Sequence, residues 1–186
     1  MEKQGIRPKQ GTILISEPSL RDFFFRQSVV LLAEHNDEGT FGLIINKPIE
    51  VRLREILKGF PPYKFPVYLG GPVKTDSLFY LHKHPDIENS LHVMEGLYWG
   101  GDLDIIREKM KSKELHPNDI RFFLGYSGWS PNQLDREIKE KSWVLSQTTV
   151  SEIINDHPET LWSNYLKSMG KDYAIWANFP ADPTFN

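Results

Sequence analysis

The chain contains 186 residues, of which 39% are hydrophobic and 25% are charged, and it has no cysteine. This apolar fraction excludes an intrinsically disordered chain, and the length predicts one domain of ordinary size. The formal charge of −3 provides no overall positive field for nucleic acid or anionic membranes. The absence of cysteine excludes disulfides, thiolate nucleophiles and cysteine-ligated metals.

The N-terminal residues 1–10 are polar and charged, and we expect them to form a loose leader before a single domain that spans residues 11–186. They contain no apolar segment of the kind found in a secretory signal. The longest apolar runs, such as Val29–Ala33, are too short to cross a bilayer. We therefore expect a soluble, cytoplasmic protein with no membrane association.

Two β-rich runs in the first quarter of the chain predict a β-hairpin. The runs Ser28–Glu34 and Thr40–Asn46 are separated by the turn-forming segment His35–Gly39, and a shorter strand is expected before them at Thr12–Ile15. The apolar residues of Val29–Ala33 are continuous rather than alternating, which predicts a strand that is covered on both faces.

The central part of the chain changes between helical and strand patterns. The apolar spacing within Leu53–Leu57 predicts one helix that ends near Gly59, and the spacing within Leu103–Met110 predicts a second helix. Between the two helices we expect strands at Phe65–Leu69, Ser77–His82 and Leu91–Met94.

A buried strand is expected at Ile120–Tyr126, followed by a sharp reversal of the chain. We predict that the reversal occurs over residues 127–129, with positive φ at Gly128, because glycine tolerates that conformation. Ser130 is then expected to begin a helix through a capping box with Gln133.

The remaining pattern predicts a strand at Trp143–Leu145 and a last helix over Leu161–Met169 that ends at Gly170. Strands and helices follow one another in an irregular order, with a hairpin early and separate helices later. This order predicts an α+β fold with a mixed sheet rather than a doubly wound sheet.

Two histidines near the end of a predicted strand are the first candidates for chemistry. His82 and His84 would face the same side of a strand and offer two imidazoles to a metal ion, with His92 or Asp86 as a further ligand. Exposed histidines at a strand end explain the same pattern without a metal, and no metal-binding motif accompanies them. We therefore predict no metal or other cofactor.

Two glycine-containing motifs match catalytic or phosphate-binding loops only in part. Gly125 stands two residues before Ser127, but the serine elbow of esterases also needs glycine where Trp129 stands, so we assign the Ser127 hydroxyl no chemistry. The segment Gly70–Thr75 lacks the glycine that a phosphate-binding loop places before its lysine, and Pro72 removes a backbone donor. Tight turns explain both motifs. For the second motif, an anion-binding nest at Gly70 and Gly71 stays open as an alternative.

Nucleic-acid recognition has little support in the sequence. The basic stretch Arg107–Lys113 is interrupted by acidic side chains, which is typical of a solvated helix face. The aromatic run Phe23–Phe25 lacks the basic framework of an RNA-binding surface, so we expect it to plug the core. The alternative for this run is a partner contact through one outward ring.

Taken in order, several short segments resemble the AlgH/YqgE family of bacterial proteins. The matching segments are Pro18, Asp22, Phe25, Ser28–Val30, Glu34–Asn36, Gly42–Pro48, Gly70–Val73, Leu81–His82, Gly125–Tyr126, Trp129, Gln133–Leu134, Glu137 and Trp143. They extend from about residue 11 to residue 170. The chain departs from the family pattern at His84, at Ser127, where alanine is common, and in the C-terminal segment Trp176–Pro180.

The resemblance implies a single α+β domain with a bifurcated mixed sheet, part of which curls like a small barrel, flanked by helices. It implies no established reaction. The family's label of transcriptional regulator implies an indirect role through a protein partner, because neither the charge nor any reading helix supports direct DNA binding.

We expect a non-catalytic binding protein whose partner is an unknown small ligand or protein. The glycine turns permit close backbone approach, and nearby aromatic and polar side chains supply directed contacts, although packing in the core would explain the same aromatic residues. The candidate site residues are Asn46, Gly70, Gly71, Pro72, His82, Gly125, Tyr126, Trp129, Gln133 and Glu137. The alternative function is a small-molecule hydrolase that uses His82 as general base, with Glu137 or Asp76 to orient it.

Overall fold

The computed structural model describes residues 6–20, 22–62, 64–155 and 157–179. Residues 1–5 of the predicted leader and Pro180 of the divergent C-terminal segment lie outside the described residues. The division into a leader and one domain therefore stays a prediction. Within the described ranges, no helix combines the length and the hydropathy that crossing a membrane requires.

The described residues form ten strands and six α-helices. The strands are β1 (Ile13–Ser16), β2 (Val29–Asn36), β3 (Gly39–Ile44), β4 (Pro48–Ile49), β5 (Val67–Leu69), β6 (Val73–His82), β7 (Ser90–Met94), β8 (Leu97–Gly100), β9 (Ile120–Trp129) and β10 (Trp143–Ser146). The helices are α1 (Leu53–Ile56), α2 (Leu103–Lys111), α3 (Gln133–Lys139), α4 (Val150–Asn155), α5 (Pro158–Ser168) and α6 (Lys171–Ala174). The predicted hairpin is confirmed as β2 and β3, whereas β4, β8, α4 and α6 were not predicted.

The main sheet has the strand order β10-β1-β2-β3-β9-β6-β8-β7, and neighbours in this order are antiparallel. β5 leaves this order, because it lies parallel to β9 and pairs on its other side with β4. β9 is therefore shared: its first half pairs with β5 and β6, and its last three residues pair with β3. The predicted α+β fold with a mixed, bifurcated sheet is confirmed.

The sheet curls strongly, as the position of two aromatic rings shows. Phe41 on β3 stacks on Trp99 on β8 with 4.8 Å between ring centroids, although a flat sheet would separate strands three steps apart by about 14 Å. The Gln10 amide Nε2 bridges the ends of the curl, because it donates to Ala33 O of β2 at 2.9 Å and to His92 O of β7 at 2.7 Å. β7 and β1 do not pair in the described residues, so the barrel-like part is open.

Helices cover both faces of the sheet. The inner face of the curl packs against α4 and α5, through residues such as Ile153 and Leu161. On the outer face, α2 packs through Met110 on one side of the branch, and α3 packs through Leu134 on the other side. All four side chains are buried, and full burial of one such side chain stabilises the fold by about 1.5–3 kcal/mol.

The aromatic run predicted to plug the core divides between core and solvent. Phe25 packs on Trp129 with 6.1 Å between ring centroids, and Phe24 joins the same cluster. Phe23 is 75% exposed. The core prediction therefore holds for Phe24 and Phe25. The exposed Phe23 is the ring to which the alternative, a contact with a partner, would apply.

The predicted reversal after Tyr126 is wrong, because β9 continues to Trp129. Positive φ falls on Gly125, at +70°, inside the strand, and Gly128 does not adopt it. The strand continues because β3 replaces β5 as its partner, and the irregular backbone at Gly125 lies where this exchange occurs. A local turn signal was therefore taken for the end of a strand.

The helix after β9 begins at Gln133 with Asn132 as its N-cap, two residues later than the predicted N-cap at Ser130. The Ser130 backbone N–H donates to Gln133 Oε1 at 3.0 Å, so half of the predicted capping box forms. Asn132, with φ +61°, lies between them and delays the start of the helix.

We expect Gly125→Ala to destabilise the protein by about 2–4 kcal/mol, because alanine would add backbone strain at positive φ and its Cβ would meet the Gly71 and Val73 carbonyls. Gly128→Ala should cost less than about 1 kcal/mol, since its Cβ meets only the edge of the Tyr126 ring. Chemical denaturation of both variants tests this ranking, and a larger loss for Gly128→Ala would contradict it.

Candidate functional site

The two glycine turns expected in the recognition surface pack directly against each other. Gly70 N donates to Leu124 O at 2.8 Å, and Gly70 O accepts from Ile44 N at 2.9 Å and from the Ser127 hydroxyl at 3.1 Å. A Cβ on Gly70 or Gly71 would lie closer than 3.0 Å to the opposite backbone. The glycines are therefore required for contact between two backbones, and Ser127, to whose hydroxyl we assigned no chemistry, stabilises that contact by a hydrogen bond.

Glu137 gathers three side-chain donors at the outer face of the sheet. Its carboxylate accepts from Trp129 Nε1 at 2.9 Å, from Trp143 Nε1 at 2.8 Å and from Gln133 Nε2 at 2.9 Å. We call these four residues the indole clamp. The clamp fixes α3 against β9 and β10, and it uses three of the predicted site residues for packing.

Asn46 is buried and holds the turn that precedes β2. Its Oδ1 accepts from Val29 N at 2.8 Å, and its Nδ2 donates to Gln27 O at 2.9 Å. Gln27 has a φ of +49°. The amide therefore stabilises a turn with an unusual backbone conformation, and both of its polar atoms have partners.

His82 is fully buried, in contrast to the predicted exposed histidine at a strand end. Its Nε2 lies 3.0 Å from Gly100 O and 3.1 Å from Ser90 Oγ, and its ring stacks on Tyr98 with 5.9 Å between centroids. Since a carbonyl only accepts, the Nε2–H tautomer fits this contact. Burial lowers the pKa of the imidazole from its ordinary value of 6.5.

The two carboxylates that we considered as orienting partners of His82 contact other side chains. Glu137 is bound in the indole clamp, and Asp76 Oδ1 accepts from the Ser77 hydroxyl at 3.4 Å. His84 faces Asp86 and Asp119, with nitrogen–oxygen distances of 3.7 and 3.9 Å. Among the described residues, no group of three His, Asp or Glu side chains is close enough to hold a metal ion.

Three aromatic rings, from β3, β8 and β9, stack at one end of the curled sheet. Phe41 stacks on Tyr126 and on Trp99, with 4.8 Å between the centroids of each pair. Gly128 leaves room for this arrangement, because a Cβ there would lie 3.1 Å from Tyr126 Cε2. The three rings are half-buried, so the stack borders solvent.

A groove of about 510 Å³ runs from this stack along the ends of β2, β3 and β9, and we call it the hairpin groove. It is lined by Glu34, Asn36, Glu38, Gly39, Thr40, Phe41, Val73, Tyr126, Gly128, Trp129, Ser130 and Pro131. Two of these residues are acidic and none is basic. The groove therefore combines aromatic surface with negative charge.

The structure divides the predicted site residues into separate groups. Tyr126 and Trp129 line the hairpin groove, and the exposed Pro72 adjoins Val73 at its margin. The three glycines lie behind it, in the contact between backbones, and Gln133 and Glu137 connect to it through Trp129. His82 pairs with Ile120, at the end of β9 opposite to Trp129.

Two unusual cationic residues were missed by the sequence analysis. Lys47 is half-buried, its Nζ donates to Phe24 O at 2.5 Å, and burial together with the nearby Arg26 lowers its pKa to about 8. Arg121 is buried in the centre of the sheet, where its guanidinium lies 4.6 Å from the centroid of the Tyr68 ring. An arginine within the apolar run Ile120–Leu124 was the available signal for the second residue.

Removal of the clamp carboxylate should lower the free energy of unfolding. We expect Glu137→Ala to destabilise by about 2–4 kcal/mol, because two indole N–H groups lose a charged acceptor in a largely buried position. Glu140→Ala, which removes an exposed carboxylate one turn later on the chain, should change stability by less than about 0.5 kcal/mol. Denaturation monitored by tryptophan fluorescence measures both, and equal effects would refute the clamp's role.

The buried imidazole predicts a pH dependence of stability. Because the folded-state pKa of His82 lies below its unfolded value, its contribution is present above pH 6.5 and is lost as the pH falls. The free energy of unfolding should therefore decline between pH 7.5 and 5, and His82→Gln should decline less steeply. His157→Gln, at a histidine whose side chain is 86% exposed, should keep the wild-type slope; three identical slopes would contradict the assignment.

Comparisons with known proteins agree with this architecture. Residues 13–174 match the family model described as AlgH-like. UPF0301 proteins of Bacteroides thetaiotaomicron and Cytophaga hutchinsonii are 42% and 41% identical, with alignments that cover 100% and 95% of this chain and 95% and 98% of theirs.

Two solved structures have the same fold. The solution structure of the AlgH protein from Pseudomonas aeruginosa superposes with a TM-score of 0.75 at 27% identity, over 96% of this chain and 97% of that chain. The crystal structure of a Corynebacterium diphtheriae protein gives a TM-score of 0.75 at 20% identity, over 95% of each chain. The chain belongs to the AlgH-like family.

Proposed function

We propose that this protein is a non-catalytic, cytoplasmic binding protein that receives a positively charged group of its partner in the hairpin groove. The group is an ammonium or guanidinium, carried either by a small molecule or by a protein side chain. On this proposal, an effect on transcription is exerted through such a partner and not through contact with DNA.

The observation that carries the proposal is the combination of a stacked aromatic pair with carboxylates in one groove. Phe41 and Tyr126 stack at 4.8 Å, and Glu34 lies opposite Phe41 in the β2–β3 register. Glu38, on the hairpin turn, adds a second carboxylate to the groove. A cation gains about 0.5–2 kcal/mol from the negative face of an aromatic ring and about 0.2–1 kcal/mol from a partly exposed carboxylate.

A non-catalytic function is favoured by the state of the candidate catalytic residues. His82 is fully buried, and its Nε2 lies within hydrogen-bond distance of Gly100 O and Ser90 Oγ. Ser127 is fully buried and donates to Gly70 O. Neither side chain borders the hairpin groove, so the alternative of a hydrolase based on His82 has no comparable support.

An NMR titration tests the proposed ligand chemistry. An acetylated and amidated Gly-Arg-Gly peptide should shift the amide signals of Glu34, Tyr126 and Gly128, whereas the matching Gly-Gln-Gly peptide should not. Glu34→Gln should weaken binding about two- to fivefold, as expected for one partly exposed ion pair. Tyr126→Ala should weaken it further.

Glu95→Gln is the matched control, because it removes an exposed carboxylate from the β7–β8 turn, outside the groove. This variant should bind the arginine peptide as the wild type does. Equal shifts from both peptides, or unchanged binding by the Glu34 variant, would overturn the proposal.

A further inference from the structure

A second groove lies between the two segments that diverge from the β4–β5 pair. Ile49 and Val67 face each other in the register of that pair. The chain then continues on one side through Arg52 to α1, and it arrives on the other side through Lys64 and Phe65. The space between the segments has a volume of about 670 Å³, within the range of small-molecule sites. We call it the arginine groove, and it shares no residue with the hairpin groove.

The floor of the arginine groove is apolar and continuous with the core. Leu53 and Phe65 are 2% and 4% exposed and belong to the hydrophobic cluster under α2, against which Ile49 packs. The floor is therefore held in place by the fold and does not depend on a ligand for its shape.

The rim of the groove is cationic. Arg52, Arg54 and Lys64 line it and are exposed, and Glu50 is the one acidic residue among the described lining residues. None of the three cations forms an ion pair with a described carboxylate within 4.0 Å. The three cations therefore give the rim a local positive charge in a chain whose net charge is −3.

We propose that the arginine groove binds an amphiphilic carboxylate, in which an apolar chain lies on the half-buried Ile49, Val51 and Pro66 and the carboxylate meets Arg52 and Arg54. The apolar floor selects the chain through burial of its surface. The guanidinium groups select a carboxylate, which accepts two parallel hydrogen bonds from their planar fork. Charge complementarity thus decides the class of the ligand.

Titration of the full-length protein with decanoate, followed by NMR and by calorimetry, tests the proposal. Decanoate should bind saturably below the concentration at which it forms micelles, and it should shift the amides of residues 49–54 and 64–67. Acetate, which lacks the chain, and decanol, which lacks the charge, should each bind at least about tenfold more weakly.

Variants of the groove separate the contribution of the rim charge to affinity from that of the apolar lining. The double variant R52Q/R54Q should lose about tenfold in affinity for decanoate with no change for decanol. Ile49→Asn should weaken both ligands. Lys58→Gln is the control, because Lys58 is exposed and lies outside the groove; this variant should bind as the wild type does.

Since Arg52, Arg54 and Lys58 are exposed, the unfolding midpoints of R52Q/R54Q and Lys58→Gln should match the wild type and confirm that these two variants fold. Unchanged affinity of R52Q/R54Q for decanoate, shifts confined to other residues, or no saturable binding would overturn the proposal. Saturable binding of an acidic peptide such as tetraglutamate at the same residues, in place of decanoate, would also overturn it and assign the groove to a protein partner.

Discussion

The close contact between the Gly70–Gly71 turn and β9 is the constraint on which the rest of the fold depends. At this point β5 separates β3 from β9, and the backbones of three strands meet with no side chain between them. Gly70 N and O bond to Leu124 and Ile44 and so join the branch to both neighbouring strands. A side chain at Gly70 or Gly125 would force these strands apart, because its first carbon would meet a backbone oxygen.

The bifurcated sheet also determines where binding surfaces can form. Beyond the contact, β9 pairs with β3, and the curl brings Phe41, Tyr126 and Trp99 together at one end. On the other side of the contact, the short β4–β5 pair leaves its two connecting segments apart and opens the arginine groove. The two grooves have opposite charge, and the small net charge of the chain conceals this difference.

The sequence predicted the parts of the fold that depend on local patterns. The hairpin of β2 and β3 was recognisable because two apolar runs flank a turn-forming segment, and the order of strands and helices indicated the α+β class. β9 was cut short because Gly125 and Gly128 signal a turn locally. The partner that extends this strand, β3, comes from a segment about 85 positions earlier, and no local pattern reports such a pairing.

The site was less predictable for the same reason. The glycines at positions 70, 71 and 125 were identified as positions of close approach, but the approaching group is the chain itself. His82 was expected to be exposed because its burial depends on β8, a strand that was not predicted. Tyr126 and Trp129 line the hairpin groove, whereas Glu34 and Glu38, which also line it, were not among the candidate site residues.

Native-state hydrogen exchange measures the central contact most directly. If the branch point holds the sheet together, the amides of Ile44 and Gly70 should exchange only through global unfolding, with the same free energy as amides in β1 and β2. The free energy of opening for these amides should depend on denaturant concentration as steeply as the free energy of global unfolding does. Exchange of these two amides through a local opening of much lower free energy, while β1 and β2 stay protected, would contradict the account.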